Sequence, residues 1–199
     1  MGIIKDQFTT KSLVLIPIAV GINLIGGTLC SLLKLPLFLD MIGTILIACL
    51  SGPWIAAICG LVTNIFLALV ANPVYLPYSV VSMLCGLVTG FMVRSGFFES
   101  KWKAVITCLV CTVTNTISAS LITFFVYGGA TGINGTSFFT AAMIAATKEI
   151  LFSVLSTSML ENLIDKGIVF AIVYSLMSKI PRRFLSQYSV SIRKRPAET

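Results

Sequence analysis

Long apolar runs, separated by short polar segments, make up most of the chain. They fall at about 13 to 33, 37 to 50, 53 to 71, 75 to 93, 103 to 128, 137 to 159 and 162 to 180. A helix needs about 20 apolar residues to cross the hydrocarbon core of a bilayer, and most of the runs approach that length. The pattern therefore predicts an all-α membrane protein, in which the short run at 37 to 50 is a tilted or partial span.

The positions of the basic residues predict how many runs cross the membrane. Lys and Arg concentrate in cytoplasmic loops. Three clusters of basic residues lie on one side only if six of the runs cross, which leaves Lys34 in an outside loop. This arrangement predicts a six-transmembrane-helix bundle with both termini cytoplasmic. The three basic clusters are Lys5 with Lys11, Arg94 with Lys101 and Lys103, and Lys179 with Arg182, Arg183, Arg193, Lys194 and Arg195.

The run at 137 to 159 is the one predicted not to cross. Lys148 and Glu149 lie at its middle, where a charged pair facing lipid would cost several kcal/mol. A glycine-rich segment at 128 to 135 precedes it and is predicted to be an external loop. We therefore expect an extra outer-face helix before the last span, which covers the bundle as a lid.

Composition excludes an ordinary soluble domain and offers no catalytic chemistry. Hydrophobic residues make up 57% of the chain and charged residues 11%, with a mean hydropathy of +1.00, whereas soluble domains are about 25% charged. We expect one integral membrane domain over 1–199, ending in a basic tail at 181–199 that is attracted to anionic lipid. Because the chain has no histidine, phosphate-binding loop or nucleophile elbow, no enzyme activity, metal, cofactor or nucleic-acid partner is predicted.

All six cysteines lie within apolar runs, and we expect them to be buried small side chains. Cys108 and Cys111 have the spacing of a redox or metal pair. They lie in the middle of an apolar run, in a chain without histidine, so a zinc or disulfide role is the disfavoured alternative.

The segment from 35 to 64 combines a carboxylate, a helix break and a stripe of small residues. Asp40 lies at the start of an apolar run, where a charge is costly enough to indicate a function. Gly52 and Pro53 predict the end of one helix and the start of the next. From that break, small or amide side chains recur every four residues along one face, which permits close approach of another helix.

Polar side chains in the predicted outer half of the bundle form the candidate substrate-binding set. Aromatic walls with a few fixed donors and acceptors suit a small heteroaromatic ligand. The predicted substrate-binding residues are Asp40, Asn64, Tyr75, Tyr78, Asn115, Lys148, Glu161, Asn162 and Asp165.

Each of these residues also has a structural interpretation. Asp40 could cap the second helix or pair with a lysine, and the tyrosines could belong to an interfacial aromatic belt. Asn115 could form a helix–helix hydrogen bond. Glu161 and Asp165 could join Lys166 in an ion network.

These features resemble the S component, the substrate-binding subunit of energy-coupling factor (ECF) vitamin transporters. Such a resemblance implies a six-helix bundle in a bacterial cell membrane that binds a vitamin-like small molecule near its outer face with high affinity. It also implies partners, namely a transmembrane T component and two cytoplasmic ATPases. The motifs that carry the resemblance are Pro36 and Asp40, Gly52-Pro53, Gly60 and Asn64, and the last-span sequence Glu161-Asn162-Leu-Ile-Asp165-Lys166.

The family docks through small residues, typically alanines four apart, on its first helix. The corresponding residues here are Ala19, Asn23 and Gly27, or Gly21 on a neighbouring face, with internal packing as the alternative. A ligand-sensing or scaffolding membrane domain without transport is the alternative function. A stand-alone secondary transporter is disfavoured because no inverted repeat is evident.

Overall fold

A computed structural model of the protein describes residues 7–132 and 135–188. Within those residues the chain is all-helical, with no strand, which confirms the predicted all-α class. The helices are α1 Thr10–Leu32, α2 Ile42–Ser51, α3 Pro53–Val70, α4 Ser79–Arg94, α5 Lys101–Tyr127, α6 Thr136–Thr147, α7 Ile150–Lys179 and α8 Arg182–Leu185, with a 3₁₀ turn at Pro73–Tyr75.

Three of the described helices, α1, α3 and α5, are long and apolar enough to cross a membrane, and α2, α4 and α6 are shorter apolar helices. The 30 residues of α7 would extend about 45 Å, longer than one crossing requires. A helical membrane protein is therefore confirmed. The count of six crossings and the side on which each terminus lies stay predictions.

The junction between α2 and α3 has the predicted Gly-Pro form. Gly52 has φ 94° and ψ −175°, a conformation that is accessible to glycine and strained for other residues. Pro53 is the first residue of α3, where its missing N–H would have had no helical partner. The side-chain oxygen of Gln7 accepts from the Trp54 backbone N–H at 3.1 Å, which satisfies another amide of that first turn.

The face of α1 that carries Ala19, Asn23 and Gly27 is buried inside the bundle, and their predicted role in docking a partner stays a prediction. Asn23 accepts from the Gly43 backbone N–H at 2.7 Å and donates to Thr44 at 2.9 Å and to Thr63 at 3.0 Å. Ala19 is 3% exposed, against α2 and α3. Small residues at this contact let the backbones of α1 and α2 approach closely, since a Cβ at Gly43 would lie 2.2 Å from the Ala19 carbonyl oxygen.

Glycines also set the contact between α3 and α4. A Cβ at Gly60 would lie 2.7 Å from the Ser82 carbonyl oxygen, and one at Gly86 would lie 2.9 Å from the Ala56 carbonyl carbon. The predicted stripe of small residues on α3 thus serves close helix approach within the bundle.

The single lid helix predicted over 137 to 159 is two helices in the structure. The chain turns at Lys148, whose φ of 58° is left-handed, and the residues from 150 onward belong to the last helix. Thr147 and Ser153 share a hydroxyl hydrogen bond of 2.9 Å across the turn, and Thr140 and Thr157 share one of 2.8 Å. α6 therefore folds back on the first turns of α7 as a helical hairpin.

All six cysteines are buried, as predicted, and two of them are bonded to each other. The sulfurs of Cys85 on α4 and Cys111 on α5 form a disulfide, with a Cα–Cα distance of 5.7 Å. The remaining four, Cys30, Cys49, Cys59 and Cys108, are free and buried.

The largest apolar cluster lies among α2, α4, α5 and the second half of α7. Phe98, in the connection from α4 to α5, is fully buried and packs on the rings of Phe170 and Tyr174 at centroid distances of 6.2 and 5.8 Å. Because this packing occupies the second half of α7, the polar residues on the first half are left to surround a cavity.

Candidate functional site

A cavity of about 70 Å³ lies where the first half of α7 meets α3, α4, α5 and α6. The connections that precede α2, α4 and α6 supply the rest of its wall. Space of this size holds about five water molecules. Its lining residues are Phe38, Asp40, Met41, Asn64, Tyr75, Tyr78, Val81, Ser82, Asn115, Ala119, Thr123, Gly129, Ala130, Thr131, Thr136, Ser137, Thr140, Val154, Ser158, Glu161, Asn162 and Lys166.

Most of the predicted substrate-binding residues meet at this cavity although they are far apart in sequence. Their roles in binding stay predictions, but the fold brings their side chains to one cavity. The predicted residues that line it are Asp40, Asn64, Tyr75, Tyr78, Asn115, Glu161 and Asn162.

Asp165 does not line the cavity and has a structural position behind its wall. One carboxylate oxygen accepts from the backbone N–H groups of Phe38 and Leu39 at 3.0 and 2.8 Å. The other oxygen lies 2.6 Å from Nζ of Lys166, and both side chains are buried. Asp165 therefore holds the 33–41 connection against α7, and in doing so places Asp40 at the cavity.

Lys148 does not meet the other predicted site residues. It is exposed at the turn between α6 and α7 and is absent from the cavity lining. The prediction placed it in the middle of one lid helix. The turn at this residue instead directs the chain back on itself, and an ammonium group on the outside of the turn keeps its solvation.

Asp40 lies outside the helices, in the connection between α1 and α2, and is 8% exposed. Burial raises the pKa of its carboxyl to about 6, and the positive charge of Lys166 opposes that rise. Burial likewise raises the pKa of Tyr75, in the connection between α3 and α4, above its ordinary value. At neutral pH the cavity therefore holds an ionised Asp40 beside a neutral phenol.

Asparagine side chains join the cavity walls to one another. Nδ2 of Asn115 on α5 donates to Oδ1 of Asn162 on α7 at 2.5 Å, and Asn162 donates to the Ser158 carbonyl at 2.9 Å. Nδ2 of Asn64 on α3 donates to Oγ of Ser82 on α4 at 2.6 Å. These bonds fix the orientation of the amides, so a ligand would meet preorganised polar groups.

Aromatic rings form the side of the cavity near α4 and α5. The Tyr78 hydroxyl is 2.6 Å from Oγ1 of Thr123. Its ring stacks on Tyr127 with centroids 6.0 Å apart and planes 2° from parallel, while the Tyr127 hydroxyl donates to the Val74 carbonyl at 3.1 Å. The hydrogen bonds at both hydroxyls hold the Tyr78 ring as a fixed surface against which a planar ligand could pack.

The α6 hairpin and two loops cover the cavity. Oγ1 of Thr136 donates to the Glu161 carboxylate at 2.7 Å, which holds the start of α6 over α7. The Gly135 backbone N–H donates to the Leu35 carbonyl at 3.4 Å, and Nζ of Lys34 donates to the Gly132 carbonyl at 3.4 Å. The loops that follow α1 and α5 thus meet in front of the hairpin.

Lys166 is the cavity residue that the sequence predictions treated as a neutralising partner and left out of the binding set. A regular spacing could have identified it, because Val154, Ser158, Asn162 and Lys166 are four residues apart and share one face of α7. The hydroxyls of Ser82 and Thr123 gave no comparable signal, since Ser and Thr are common in membrane helices as helix-packing groups.

Comparison with known protein families gives an independent assignment. The family model described as the substrate-specific component of ECF transporters matches residues 11–177, most of the chain. That match covers α1 to α7 except the ends, including every residue that lines the cavity. Searches of curated proteins and of solved structures gave no match. A helical membrane bundle with a buried polar cavity is consistent with this match. The chain belongs to the family of substrate-specific components of ECF transporters, which is a family of transporter subunits and not of enzymes.

Proposed function

We propose that the protein captures a small vitamin-like solute in the cavity described above and delivers it by docking on a T component powered by two ATPases. The observation that carries the proposal is the cavity itself. Buried carboxylates, oriented amides and aromatic rings converge there from five helices and connections that are distant in sequence. Such a combination is typical of small-molecule sites.

The lining of the cavity supports a small solute with one ring. Tyr75 and Tyr78 offer aromatic surface to the cavity. Asn64 and Asn115 place amide groups around the same space. A vitamin B6 compound or hydroxymethylpyrimidine is our suggestion within this class.

We propose that the docking surface is the outward face of α1. Ala19 and its neighbours point into the bundle, whereas a Cβ at Gly21 would meet no other atom within 4 Å. Ile18 and Ile25, 57% and 71% exposed, flank this position. Close helix approach in lipid depends on a small residue at the contact, and Gly21 is the one that this face supplies near its middle.

Mass spectrometry of the solute retained by the purified protein, followed by uptake of that solute into cells that carry the coupling module, tests the proposal. We expect a retained single-ring compound and uptake that requires this chain. Retention without uptake would favour a ligand-sensing domain and overturn the transport proposal.

The Gly21→Leu variant tests the docking surface. It should retain the solute and lose uptake, because a large side chain would hold the two proteins apart. Ile25→Leu is the matched control on the same face and should retain both properties. Normal uptake by the Gly21→Leu protein at normal expression would show that α1 does not dock the T component.

A further inference from the structure

Two asparagine side chains line the cavity from two different helices. Asn64 on α3 and Asn115 on α5 are only 1% and 6% exposed. An amide group carries an acceptor oxygen at one end and a donor nitrogen at the other, and the partners of each end distinguish them. The hydrogen bonds around the two amides therefore decide which end of each one is left for a solute.

The amide of Asn64 has both of its N–H groups engaged within the protein. Nδ2 donates to the Gly60 carbonyl at 3.2 Å and to Oγ of Ser82 at 2.6 Å. Because a backbone carbonyl can only accept, the end of the amide that faces Gly60 is the nitrogen, and the orientation of the amide is fixed. Oδ1 is the group of this side chain that is left for a solute.

A chain of two bonds fixes the amide of Asn115 in the same way. Nδ2 of Asn162 donates to the Ser158 carbonyl at 2.9 Å, so the end of Asn162 that faces Asn115 is its oxygen. The atom of Asn115 that lies 2.5 Å from this oxygen has to be a donor, which is Nδ2. Oδ1 of Asn115 therefore takes no part in the bridge between α5 and α7.

No donor among the described residues reaches either oxygen, and neither oxygen is fully enclosed by protein atoms. Ser82 lies on the nitrogen side of Asn64. The O–H of Tyr78 is directed to Thr123, whose own hydroxyl donates to the Ala119 carbonyl at 2.9 Å. Because both asparagines line the cavity and are otherwise buried, the space left in front of the two oxygens is the cavity.

We infer that the solute presents hydrogen-bond donors on two sides of its ring, an N–H or O–H toward Oδ1 of Asn64 and another toward Oδ1 of Asn115. This inference rests on the proposed solute-binding function and narrows its substrate class. A solute that fills the cavity displaces water from both oxygens and has to replace its hydrogen bonds. A site that binds a substrate N–H rejects an analogue that lacks it, because the buried acceptor is left without a donor.

Three pyrimidines of nearly equal size test the inference: 4,6-diaminopyrimidine, 4-amino-6-methylpyrimidine and 4,6-dimethylpyrimidine. Each is titrated at mildly alkaline pH, where all three are uncharged, into the full-length protein in nanodiscs. Binding is followed by saturation-transfer NMR, with empty nanodiscs as the blank. We expect the affinity to fall at least about five-fold for each amino group that is replaced by a methyl group. Equal or tighter binding of the dimethyl compound, or binding of none of the three, would overturn the inference.

Variants locate the preference at the two amides. Asn64→Leu and Asn115→Leu should each reduce the preference for the diamino over the dimethyl compound by at least about five-fold. A merely structural role would lower the affinity for both compounds and leave their ratio unchanged. Thr114→Val is the control on α5, because it removes a hydroxyl that donates to the Val110 carbonyl at 2.9 Å outside the cavity lining. It should leave the ratio unchanged.

The thermal unfolding midpoint of each variant shows which ones are folded. An unchanged ratio in every folded amide variant would also overturn the inference, and if neither amide variant folds, the order of the probes with the unaltered protein decides. The proposed function fails in a different way. Retention and uptake of a solute whose ring carries no N–H or O–H group would remove the donor inference and leave transport standing, whereas a retained donor-bearing solute that is never taken up would do the opposite.

Discussion

Replacing Asp165 by asparagine should destabilise the protein strongly because it leaves Lys166 buried without its counter-charge. The pair is separated by 2.6 Å, with both side chains at most 1% exposed. Removing one member of a buried pair costs about 3 to 5 kcal/mol. A chain of this size loses roughly 2 to 4 °C of unfolding midpoint per kcal/mol, so the midpoint should fall by about 6 to 20 °C.

The assay is thermal unfolding of purified protein in detergent, with two companion variants. Combining Asp165→Asn with Lys166→Met removes both charges and should restore part of the loss, since the asparagine oxygen can still accept from the Phe38 and Leu39 N–H groups. Glu99→Gln breaks a partly exposed pair of 3.9 Å and should cost less than about 1 kcal/mol. A midpoint for Asp165→Asn equal to that of Glu99→Gln would refute the reasoning.

Three further predictions concern backbone geometry, internal polar bonding and topology. Gly52→Ala should destabilise by about 1 to 3 kcal/mol, because φ 94° with ψ −175° is strained for alanine; an unchanged unfolding midpoint would contradict this. Asn23→Leu should cost roughly 1 to 3 kcal/mol by orphaning the Gly43 N–H, measured in the same way against Ser175→Leu on the exposed face of α7. In a cysteine-free background, Ser100→Cys and Gly132→Cys should react with an impermeant thiol reagent from opposite faces of the membrane, and labelling from one face would overturn the six-crossing topology.

The sequence predicted helix boundaries well where the boundary residue itself has a strong backbone preference. Gly52 and Pro53 end and begin helices through their own conformational limits, so the α2–α3 junction could be read directly from the residues. The turn at Lys148 could not, because its residue type has no such preference and the hydroxyl contacts that accompany the turn are tertiary. The lid was therefore predicted as one helix.

Sequence alone also does not show whether a face of small residues packs inside the bundle or faces outward. A stripe such as Ala19, Asn23 and Gly27 has the same spacing whether it packs inside the bundle or against another protein. Only the position of α2 and α3 decides between them, and in the structure those helices cover it. The asparagine in the stripe was the available hint, since an amide in a membrane helix requires polar partners and finds three of them within this chain.

The candidate site was predictable to the extent that burying polar groups is costly. Asp40, Asn115 and Glu161 are polar residues in or beside apolar runs, and all three line the cavity. The sequence could not distinguish a residue that lines the cavity from a residue that lies just behind the lining. Asp165 and Lys166 are adjacent in sequence, yet Lys166 lines the cavity while Asp165 is bonded to the backbone of the 33–41 connection.

The two hydrogen bonds between Asp165 and the backbone of the 33–41 connection make one side of the site rigid. The opposite side, formed by α6, is joined less firmly. Two charge-assisted hydrogen bonds make the wall that carries Asp40 move together with α7, the helix that carries Glu161. The two carboxylates thus keep a constant separation. Across the cavity, three hydroxyl hydrogen bonds join α6 to α7: the bond from Thr136 to the Glu161 carboxylate is charge-assisted, and the other two are worth about 1 kcal/mol each. We therefore expect α6, and not the 33–41 connection, to move when a solute enters the proposed site, so that Asp40 and Glu161 keep their separation.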